Sequence, residues 1–440
     1  MAPRLAPLVC ALWFWLLVSS QALVAAELPS APGAARPAFQ MAGAVRGYLD
    51  RIPTAQRARS DAYFEGGYWI QLWEFLYSTV VALALLEFRL SARLRTWACR
   101  LTARPMAQAA AYWTQYAVLT FLLMLPWVWY VSFFREHAYG LATQSFGIWC
   151  GDQGKGLLVT IILGGLVVMA LFGVVRWATR TWHLWAAGVL TAFLAFSAVI
   201  APVFIAPLFN QYTPLTDPTV VEPILRLARA NGIPADQVYQ VDASRQTTRI
   251  SANVSGMFGT ERIALNDNLL KRCSRAEIEA VLAHEMGHYV LHHGYKITLF
   301  LGVLIVLGMV SLRSTLELLV RRLGSRWGIV GPGDLAVTPL AIALFTAYAF
   351  FLTPITNSYI RLQEHEADLF GLNASRQPDG FAEAILKLVE YRKAEPGAAE
   401  EWLFYDHPSA KTRITTAMRW KAEWGLSPAL VGTPHDSTTR

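Results

Sequence analysis

The sequence predicts a mainly α-helical protein, a polytopic membrane helix bundle of about seven spans into which a polar domain is inserted. Two observations support this fold class. Hydrophobic residues make up 54% of the 440 residues and charged residues only 16%, whereas ordinary globular proteins have about 45–50% and about 25%. Several apolar runs also exceed about 18 residues with almost no charge, and the buried helices of a soluble protein do not explain so many runs of that length.

The order of the spans follows from the apolar runs, because crossing the hydrocarbon core takes about 20 residues. Residues 1–26 form either a first membrane span or a cleaved signal peptide. Arg4 precedes an apolar stretch that ends in small residues, and both interpretations fit equally well. The rest of the predicted order is a polar loop at 27–66, spans two to five at 67–208, a polar domain at 209–296, spans six and seven at 297–356, a second polar segment at 357–424 and a flexible tail at 425–440.

Arginine-rich loops predict the orientation in the membrane. Three loops on one side of the predicted bundle contain Arg89, Arg93, Arg95, Arg100, Arg104, Arg176, Arg180, Arg321, Arg322 and Arg326. Positive residues favour the cytoplasm, so the two polar segments are expected on the opposite, extracytoplasmic face. The first loop opposes this orientation and leaves the face open, since it contains Arg46, Arg51, Arg57 and Arg59.

The same arginines account for the net charge of +7. Because they flank apolar runs, they indicate a lipid bilayer as partner and argue against a nucleic acid. The four cysteines are widely spaced and form no C-x-x-C pair, which argues against a zinc ribbon. Cys150 and Cys273 could pair, but isolated thiols are the preferred interpretation, and the oligomeric state is not predicted.

The segment from Ser274 to His288 contains a metal-binding pattern. Ser274 is a plausible helix N-cap, with Glu277 at the capping-box position. Within the predicted helix, His284 and His288 are four residues apart and share a face. Two imidazoles in this arrangement can hold one zinc ion, and Glu285 lies close enough to take a proton from water without being a ligand.

A third ligand is expected from elsewhere in the chain. His292 lies one turn beyond His288, but three imidazoles in a row on one helix suit a tetrahedral site poorly. Glu364 and Asp368 are four residues apart after the last predicted span. One of them can bind the metal while the other accepts a hydrogen bond from a ligating histidine. Glu364 is therefore the preferred third ligand.

The chain resembles a known family, the integral-membrane zinc metallopeptidases that include the type I CAAX prenyl endopeptidases and the HtpX-like proteases. It is most similar to the CAAX prenyl protease 1 branch, from the third span to about Ile414. The segments that carry the resemblance are Glu136–Gly140, Pro207–Leu215, Val241–Arg245, His284–His288, Asn357 to Asp368 with Arg361 and Glu364, His407-Pro408, and Arg413-Ile414.

The resemblance implies a zincin-type catalytic domain with a small β-sheet, built from 209–296 and 357–424. It implies that His284, His288 and Glu364 bind one zinc ion per chain, with Glu285 as the base. His407 would donate to the oxyanion of the tetrahedral intermediate, and Arg413 would support that region.

Further roles come from the same resemblance. Asp368, Asn357 and Arg361 are expected around the metal ligands, where they would orient them. Asn253 is expected on an edge strand that binds extended substrate through main-chain hydrogen bonds.

The sequence therefore predicts a membrane-embedded, zinc-dependent endopeptidase that acts on membrane-associated or partly unfolded proteins. We expect it in a bacterial inner membrane, with the active site preferentially on the periplasmic face. Two alternatives come from other classes. One is a membrane quality-control factor with little proteolysis, and the other is a transporter, since intramembrane charges such as Glu74 can mark a pathway.

Overall fold

The computed structural model describes residues 40–256 and 261–424. The predicted signal peptide or first span at 1–26 and the predicted tail at 425–440 lie outside the described residues. Within them, six helical segments are long and apolar enough to cross a membrane: Thr54–Glu87, Pro105–Ala138, Phe146–Trp177, Trp182–Leu208, His293–Trp327 and Leu335–Ser375. Each contains one of the predicted spans two to seven, and the predicted fold class is confirmed.

Helices dominate the described residues. The α-helices are α1 (Met41–Leu49), α2 (Thr54–Glu87), α3 (Leu90–Leu101), α4 (Pro105–Trp129), α5 (Arg135–Ala138), α6 (Phe146–Trp177), α7 (Trp182–Ile200), α8 (Pro218–Ala230), α9 (Asp267–Arg272), α10 (Arg275–Val290), α11 (His293–Trp327), α12 (Thr338–Ser375), α13 (Pro378–Leu388), α14 (Ala398–Phe404) and α15 (Ala410–Glu423). Short π-helical turns at Tyr130–Phe134 and Ala201–Ile205 continue α4 and α7.

Part of the predicted polar loop at 27–66 is helical, which corrects the sequence-based assignment. Residues 41–49 form α1, and α2 begins at Thr54, well before its apolar part. The reason is tertiary packing, because α1 buries Val45 and Leu49 in a core that it shares with α13 and α15. Short amphipathic helices of this kind are stabilised by packing more than by helix propensity.

The predicted small sheet is present and has four strands. The strands are β1 (Tyr212–Pro214), β2 (Val238–Val241), β3 (Ala252–Ser255) and β4 (Arg262–Asn266). Their spatial order is β1-β2-β4-β3, with β2 parallel to β4 and β3 antiparallel to β4. β3 therefore lies at one end of the sheet.

The helix α10 connects this sheet to the membrane bundle. One side of α10 packs Ile278, Leu282 and Met286 into a core with Ile263 and Leu265 of β4. Its other side packs along α12 and α13. The metal-binding pattern on α10 is thus held between the sheet and the last membrane helix.

Candidate metal centre and its cavity

The helix α10 begins where the sequence predicts. The hydroxyl of Ser274 accepts a hydrogen bond from the backbone N–H of Glu277, and the Glu277 carboxylate accepts one from the backbone N–H of Ser274. This reciprocal capping box fixes the start of the helix. The position of the helix start determines which residues of α10 face α12. His284 and His288 are among these residues.

Two glycines allow α10 and α12 to approach closely. A Cβ atom on Gly371 of α12 would lie 2.9 Å from the backbone nitrogen of His284, and one on Gly287 of α10 would lie 3.1 Å from the Cα of Ala367. Real Cβ contacts are almost never as short as 2.9 Å, so the crossing requires glycine at position 371. A contact of 3.1 Å is tighter than nearly all real ones, so glycine at position 287 also favours the close approach. The close crossing brings Glu364 to the two histidines.

His284, His288 and Glu364 present their ligand atoms to a common point. The Nε2 atoms of the two histidines are 3.2 Å apart. The Glu364 carboxylate oxygens lie 3.3 Å from His284 Nε2 and 3.3 Å from His288 Nε2. Ligand atoms about 2.0–2.1 Å from a tetrahedral zinc ion are about 3.3–3.4 Å apart. The spacing of this metal group fits zinc.

Glu364 gives a second sign that a cation belongs here. Its side chain is buried, and its Oε2 atom has no hydrogen-bond partner of normal geometry among the described residues. A buried, unpartnered carboxylate oxygen is costly. Three donors of this kind, two imidazoles and one carboxylate, leave a fourth tetrahedral position open, as catalytic zinc sites do.

A buried ion pair between Asp368 and Arg413 contacts His284 on the side away from the metal group. Its Nδ1 atom lies 2.8 Å from Asp368 Oδ1. Arg413 donates to the same carboxylate, with Nε 2.9 Å from Oδ2. Burial would lower the pKa of His284, but hydrogen bonds to Asp368 and Glu364 outweigh it and raise the pKa to about 9. Asp368 thus lies where the sequence predicts, and Arg413 contacts the metal group through Asp368 and His284.

His288 is held by residues that the sequence analysis missed. Its Nδ1 atom lies 2.9 Å from His293 Nδ1, and His293 Nε2 lies 3.0 Å from Glu366 Oε2. From the sequence, His292 was a disfavoured third ligand, one turn beyond His288 on a continued α10. The helix ends at Val290, and His292 has a left-handed φ of 57°, so the next residue is the one turned towards His288.

Glu285 lies in a cavity of about 310 Å³ next to the metal group. Residues from four parts of the chain line it, among them Ser251, His284, Arg392 and His407. Burial raises the pKa of the Glu285 carboxyl above its usual value. A carboxylate with a raised pKa is suited to accept a proton near neutral pH.

His407 also faces the metal group. Its Nε2 atom lies 3.4 Å from Glu364 Oε2, and its Nδ1 atom lies 2.9 Å from Asp406 Oδ1. Burial opposes ionisation of Asp406, but the hydrogen bond from His407 holds the pKa of Asp406 below its usual range. Asp406 orients the ring, and its position before His407 is its only signal in the sequence.

The side chains of Asn357 and Arg361 donate to the segment before His407, and their role in orienting the metal ligands stays a prediction. The Asn357 amide donates to the backbone oxygen of Leu403 at 3.2 Å, and Arg361 donates to the backbone oxygens of Glu401 and Tyr405. Both side chains therefore fix the segment that leads into His407. They point to this segment because their helix positions face α14.

Asn253 lies on β3, the outer strand of the sheet, and is exposed. The strand packs against α10. Ala252 of this strand lines the cavity of Glu285, and Val254 lines a second, larger cavity that reaches His288. The strand β3 thus runs past the metal group and borders both cavities.

All three cysteines in the described residues, Cys99, Cys150 and Cys273, are free thiols. This agrees with the preferred interpretation of isolated thiols.

Two models of protein families match adjacent parts of this chain, and both describe the same kind of protease. Residues 214–421 match the model of peptidase family M48, and residues 47–211 match the model described as CAAX prenyl protease N-terminal, five membrane helices. The two matches meet between the membrane helices and the sheet. No support for a transporter comes from these matches.

Individual relatives agree with the family models. A Bacillus subtilis protein named Uncharacterized metalloprotease YhfN is 29% identical over 303 residues, which cover 68% of this chain and 71% of the relative. A rice protein named CAAX prenyl protease 1 homolog is 28% identical over 298 residues, 66% of this chain and 68% of the relative. The crystal structure of Ste24p from S. mikatae has the same fold, with a TM-score of 0.72 at 22% identity over 92% of this chain and 94% of that one.

Members of family M48 are zinc-dependent peptidases, and a His-His-Glu group suited to a metal ion is present here. The predicted membrane zinc endopeptidase is thereby confirmed, with peptides or proteins as substrates. The chain belongs to peptidase family M48 and is a multi-pass membrane metalloendopeptidase of the CAAX prenyl protease 1 type.

Proposed function

We propose that His284, His288 and Glu364 hold one zinc ion per chain and that Glu285 is the general base of peptide hydrolysis. The observation that carries this proposal is the similar spacing of the three ligand groups, with 3.2 Å between the two imidazole Nε2 atoms and 3.3 Å from each of them to one oxygen of the Glu364 carboxylate. A bound zinc ion supplies Lewis acidity towards the scissile carbonyl and towards water.

Glu285 moves the proton in this proposal. It follows His284 on α10 and borders the cavity without belonging to the metal group. Its carboxylate takes the proton of the attacking water and then delivers it to the leaving amine. Burial raises the pKa of this carboxyl, which favours its uptake of the proton from water.

His407 is the proposed donor to the oxyanion. Its Nε2 atom borders the metal group at 3.4 Å from Glu364, and Asp406 holds its other nitrogen. A positioned donor of this kind typically contributes about 2.7–4 kcal/mol to transition-state stabilisation. Arg413 acts indirectly, because it orients Asp368 and through it His284.

The strand β3, which contains Asn253, is the proposed platform for the substrate backbone. It is the terminal strand in the sheet order, so an extended peptide can add to its outer side by main-chain hydrogen bonds. The site then accepts extended or partly unfolded segments, since a folded domain cannot present a strand between α10 and β3.

The proposed substrates are membrane-associated proteins. A cavity of about 1320 Å³ extends from His288 along α7 and α11, and apolar side chains of these membrane helices line it. Relatives of this chain are named CAAX prenyl protease 1. An apolar or lipid-modified segment on one side of the scissile bond fits this cavity.

The proposed location is the bacterial inner membrane, with the metal group on the periplasmic side. The arginine-rich loops meet at one end of the bundle, where Arg89 donates to the backbone oxygen of Arg326 at 2.8 Å and Arg95 pairs with Asp334. The helix α11 leads from His293 beside the metal group to Trp327 at this arginine-rich end. Placing the arginine-rich end in the cytoplasm puts the metal group on the other side.

Native cysteines test the orientation. Cys99 is exposed at the arginine-rich end, and Cys150 is exposed near the opposite end of α6. In a Cys10→Ser background, a membrane-impermeant maleimide should label Cys150 in cells with a permeabilised outer membrane, and Cys99 only after lysis. Burial raises the pKa of Cys273 to about 11, so its thiol should react slowly in both samples. Labelling of Cys99 alone before lysis would reverse the proposed orientation.

The catalytic proposal is tested by zinc content and peptide cleavage of the wild-type protein beside Glu285→Gln. The variant retains all three ligands, so it should bind about one zinc ion per chain while turnover falls by several orders of magnitude. Exposed Glu222→Gln on α8 is the matched control and should leave both quantities unchanged. Wild-type turnover in the Glu285→Gln protein would refute the role of Glu285, and absence of zinc from the wild type would refute the metal site.

A further inference from the structure

Beyond the roles assigned above, a second series of hydrogen-bonded side chains supports the metal group. It runs from His288 through His293 to Glu366. His288 Nδ1 lies 2.9 Å from His293 Nδ1, and His293 Nε2 lies 3.0 Å from Glu366 Oε2. His293 is buried at 2% exposure, so its two nitrogens have to be satisfied within the protein.

The geometry fixes the protons on both rings. His288 presents Nε2 to the metal group, so its Nδ1 carries the hydrogen. That hydrogen can be donated only to an acceptor, which makes His293 Nδ1 the unprotonated nitrogen of a neutral ring. His293 Nε2 then carries a hydrogen and donates it to the Glu366 carboxylate, a natural acceptor. Each group in the chain therefore has one compatible role.

The two ligating histidines are supported differently. His284 donates directly to Asp368, a carboxylate with 1% exposure that Arg413 also holds. His288 reaches its carboxylate only through a neutral imidazole. That carboxylate, Glu366, is partly exposed and also pairs with Lys296 at 3.1 Å.

We propose that His293 is the positioning residue of the ligand His288 and that Glu366 positions His293. The pair holds the His288 ring with Nε2 towards the metal and prevents it from rotating into the larger cavity, which His288 also lines. Loss of the pair leaves the ligand in place but poorly oriented, which weakens metal binding. This inference rests on the proposed metal site.

The backbone explains why His293 and not His292 has this role. His292 occupies the left-handed region between α10 and α11, with φ at 57°. The break redirects the chain, and His293 becomes the first residue of α11. His292 is therefore a neighbouring histidine with the same chemistry but outside the hydrogen-bonded chain.

The test measures zinc dissociation by competition with a chromogenic chelator in detergent-purified, full-length protein. His293→Phe retains an aromatic ring but removes the acceptor nitrogen, and it should weaken zinc binding about 10–100-fold. His293→Asn places an amide oxygen near the former Nδ1 position and should recover part of that loss. Glu366→Gln should show a smaller loss, of a few fold. His292→Asn, which suits a left-handed φ, is the matched control and should bind zinc as the wild type does.

Controls distinguish the possible failures. Thermal unfolding of the zinc-free proteins identifies a variant that does not fold. If His293→Phe does not fold, the zinc affinity of Glu366→Gln tests the positioning role instead, because Glu366 is partly exposed. Wild-type zinc affinity in folded His293→Phe, or an equal loss in His292→Asn, would overturn the positioning role. If the wild type itself binds no zinc, the proposed metal site fails instead. In the His293 variants kcat should fall by a larger factor than KM rises, because the substrate contacts are unchanged.

Discussion

Two cavities border the metal group, and they differ in the charged groups that line them. The polar cavity, on the Glu285 side and about 310 Å³ in volume, combines apolar side chains with Arg249, Arg392 and His407. The cavity on the His288 side, about 1320 Å³, is lined mainly by apolar residues of α7 and α11. The strand β3 contributes Ala252 to the first and Val254 to the second.

The difference suggests how a substrate lies in the site. A peptide that pairs antiparallel with β3 runs from Val254 towards Ala252. Its N-terminal part then occupies the apolar cavity beside the membrane helices, and its C-terminal part occupies the polar cavity with the arginines. We expect the enzyme to cut on the C-terminal side of an apolar or lipid-bearing segment.

The largest effect is expected at the crossing of α10 and α12, because α10 lines both cavities and the crossing brings Glu364 to its histidines. Gly371→Ala places a Cβ atom 2.9 Å from the backbone nitrogen of His284 and must push the helices apart. Zinc content and turnover on every substrate should be lost, and unfolding free energy should fall by about 1–3 kcal/mol. Metal analysis, activity and chemical denaturation measure these losses.

The control for this variant is Gly308→Ala in α11, where no atom lies within 4 Å of the new Cβ. It should retain zinc and turnover. A Gly371→Ala protein with normal zinc content would show that the close crossing does not hold the metal group together.

The crossing also shows how far the sequence predicts the site. The structure brings together His284, His288 and Glu364, which the local spacing of histidines and carboxylates had singled out. His293 and Asp406 could not be found in the same way. The first depends on where α10 ends, and the second on how Arg361 fixes the segment before His407.

The fold was predictable to a similar extent. Apolar runs locate the membrane helices because length and composition alone determine whether a helix can cross lipid. The helix α1 escaped notice because its apolar face is short and its partners, α13 and α15, lie more than 300 residues further along the chain. The apolar cavity forms between α7, α11 and β3, and the polar cavity forms between β3, α10 and α13. No local sequence pattern describes such spaces.

The next effect concerns the apolar cavity alone. Gly188 of α7 lines this cavity, and a Cβ atom there would meet open space. Gly188→Phe should fill the cavity without distorting the helix. It should lower kcat/KM about 10–100-fold for peptides with a long apolar or lipid group before the scissile bond, because about 0.8 kcal/mol is lost for each excluded methylene.

Short polar peptides should be cut by Gly188→Phe as by the wild type. Gly154→Phe on α6, where the added side chain also meets open space, is the matched control. Equal losses for lipidated and polar peptides would mean that the apolar cavity is not a substrate site.

The smallest effect concerns the polar cavity. Arg392 lines it and has no hydrogen bond or ion pair within residues 40–256 and 261–424. Arg249, in contrast, pairs with Glu136 at 2.7 Å. Arg392→Ala should lower kcat/KM about tenfold for peptides with a free carboxylate close after the scissile bond, and leave the amidated peptides unchanged.

Exposed Arg226→Ala on α8 controls for the loss of a positive charge. The same loss with acid and amide peptides would contradict a role of Arg392 in binding the substrate carboxylate.

Removal of the metal ion and its return is the decisive experiment for the zinc site. The purified protein is stripped with a chelator, and peptide turnover is followed as zinc is added back to the wild type and to Glu364→Ala. The account predicts no turnover without metal and full recovery at about one zinc ion per wild-type chain, with no recovery for Glu364→Ala at that ratio. Turnover that persists in the stripped wild type, or equal recovery in both proteins, would contradict the metal site formed by His284, His288 and Glu364.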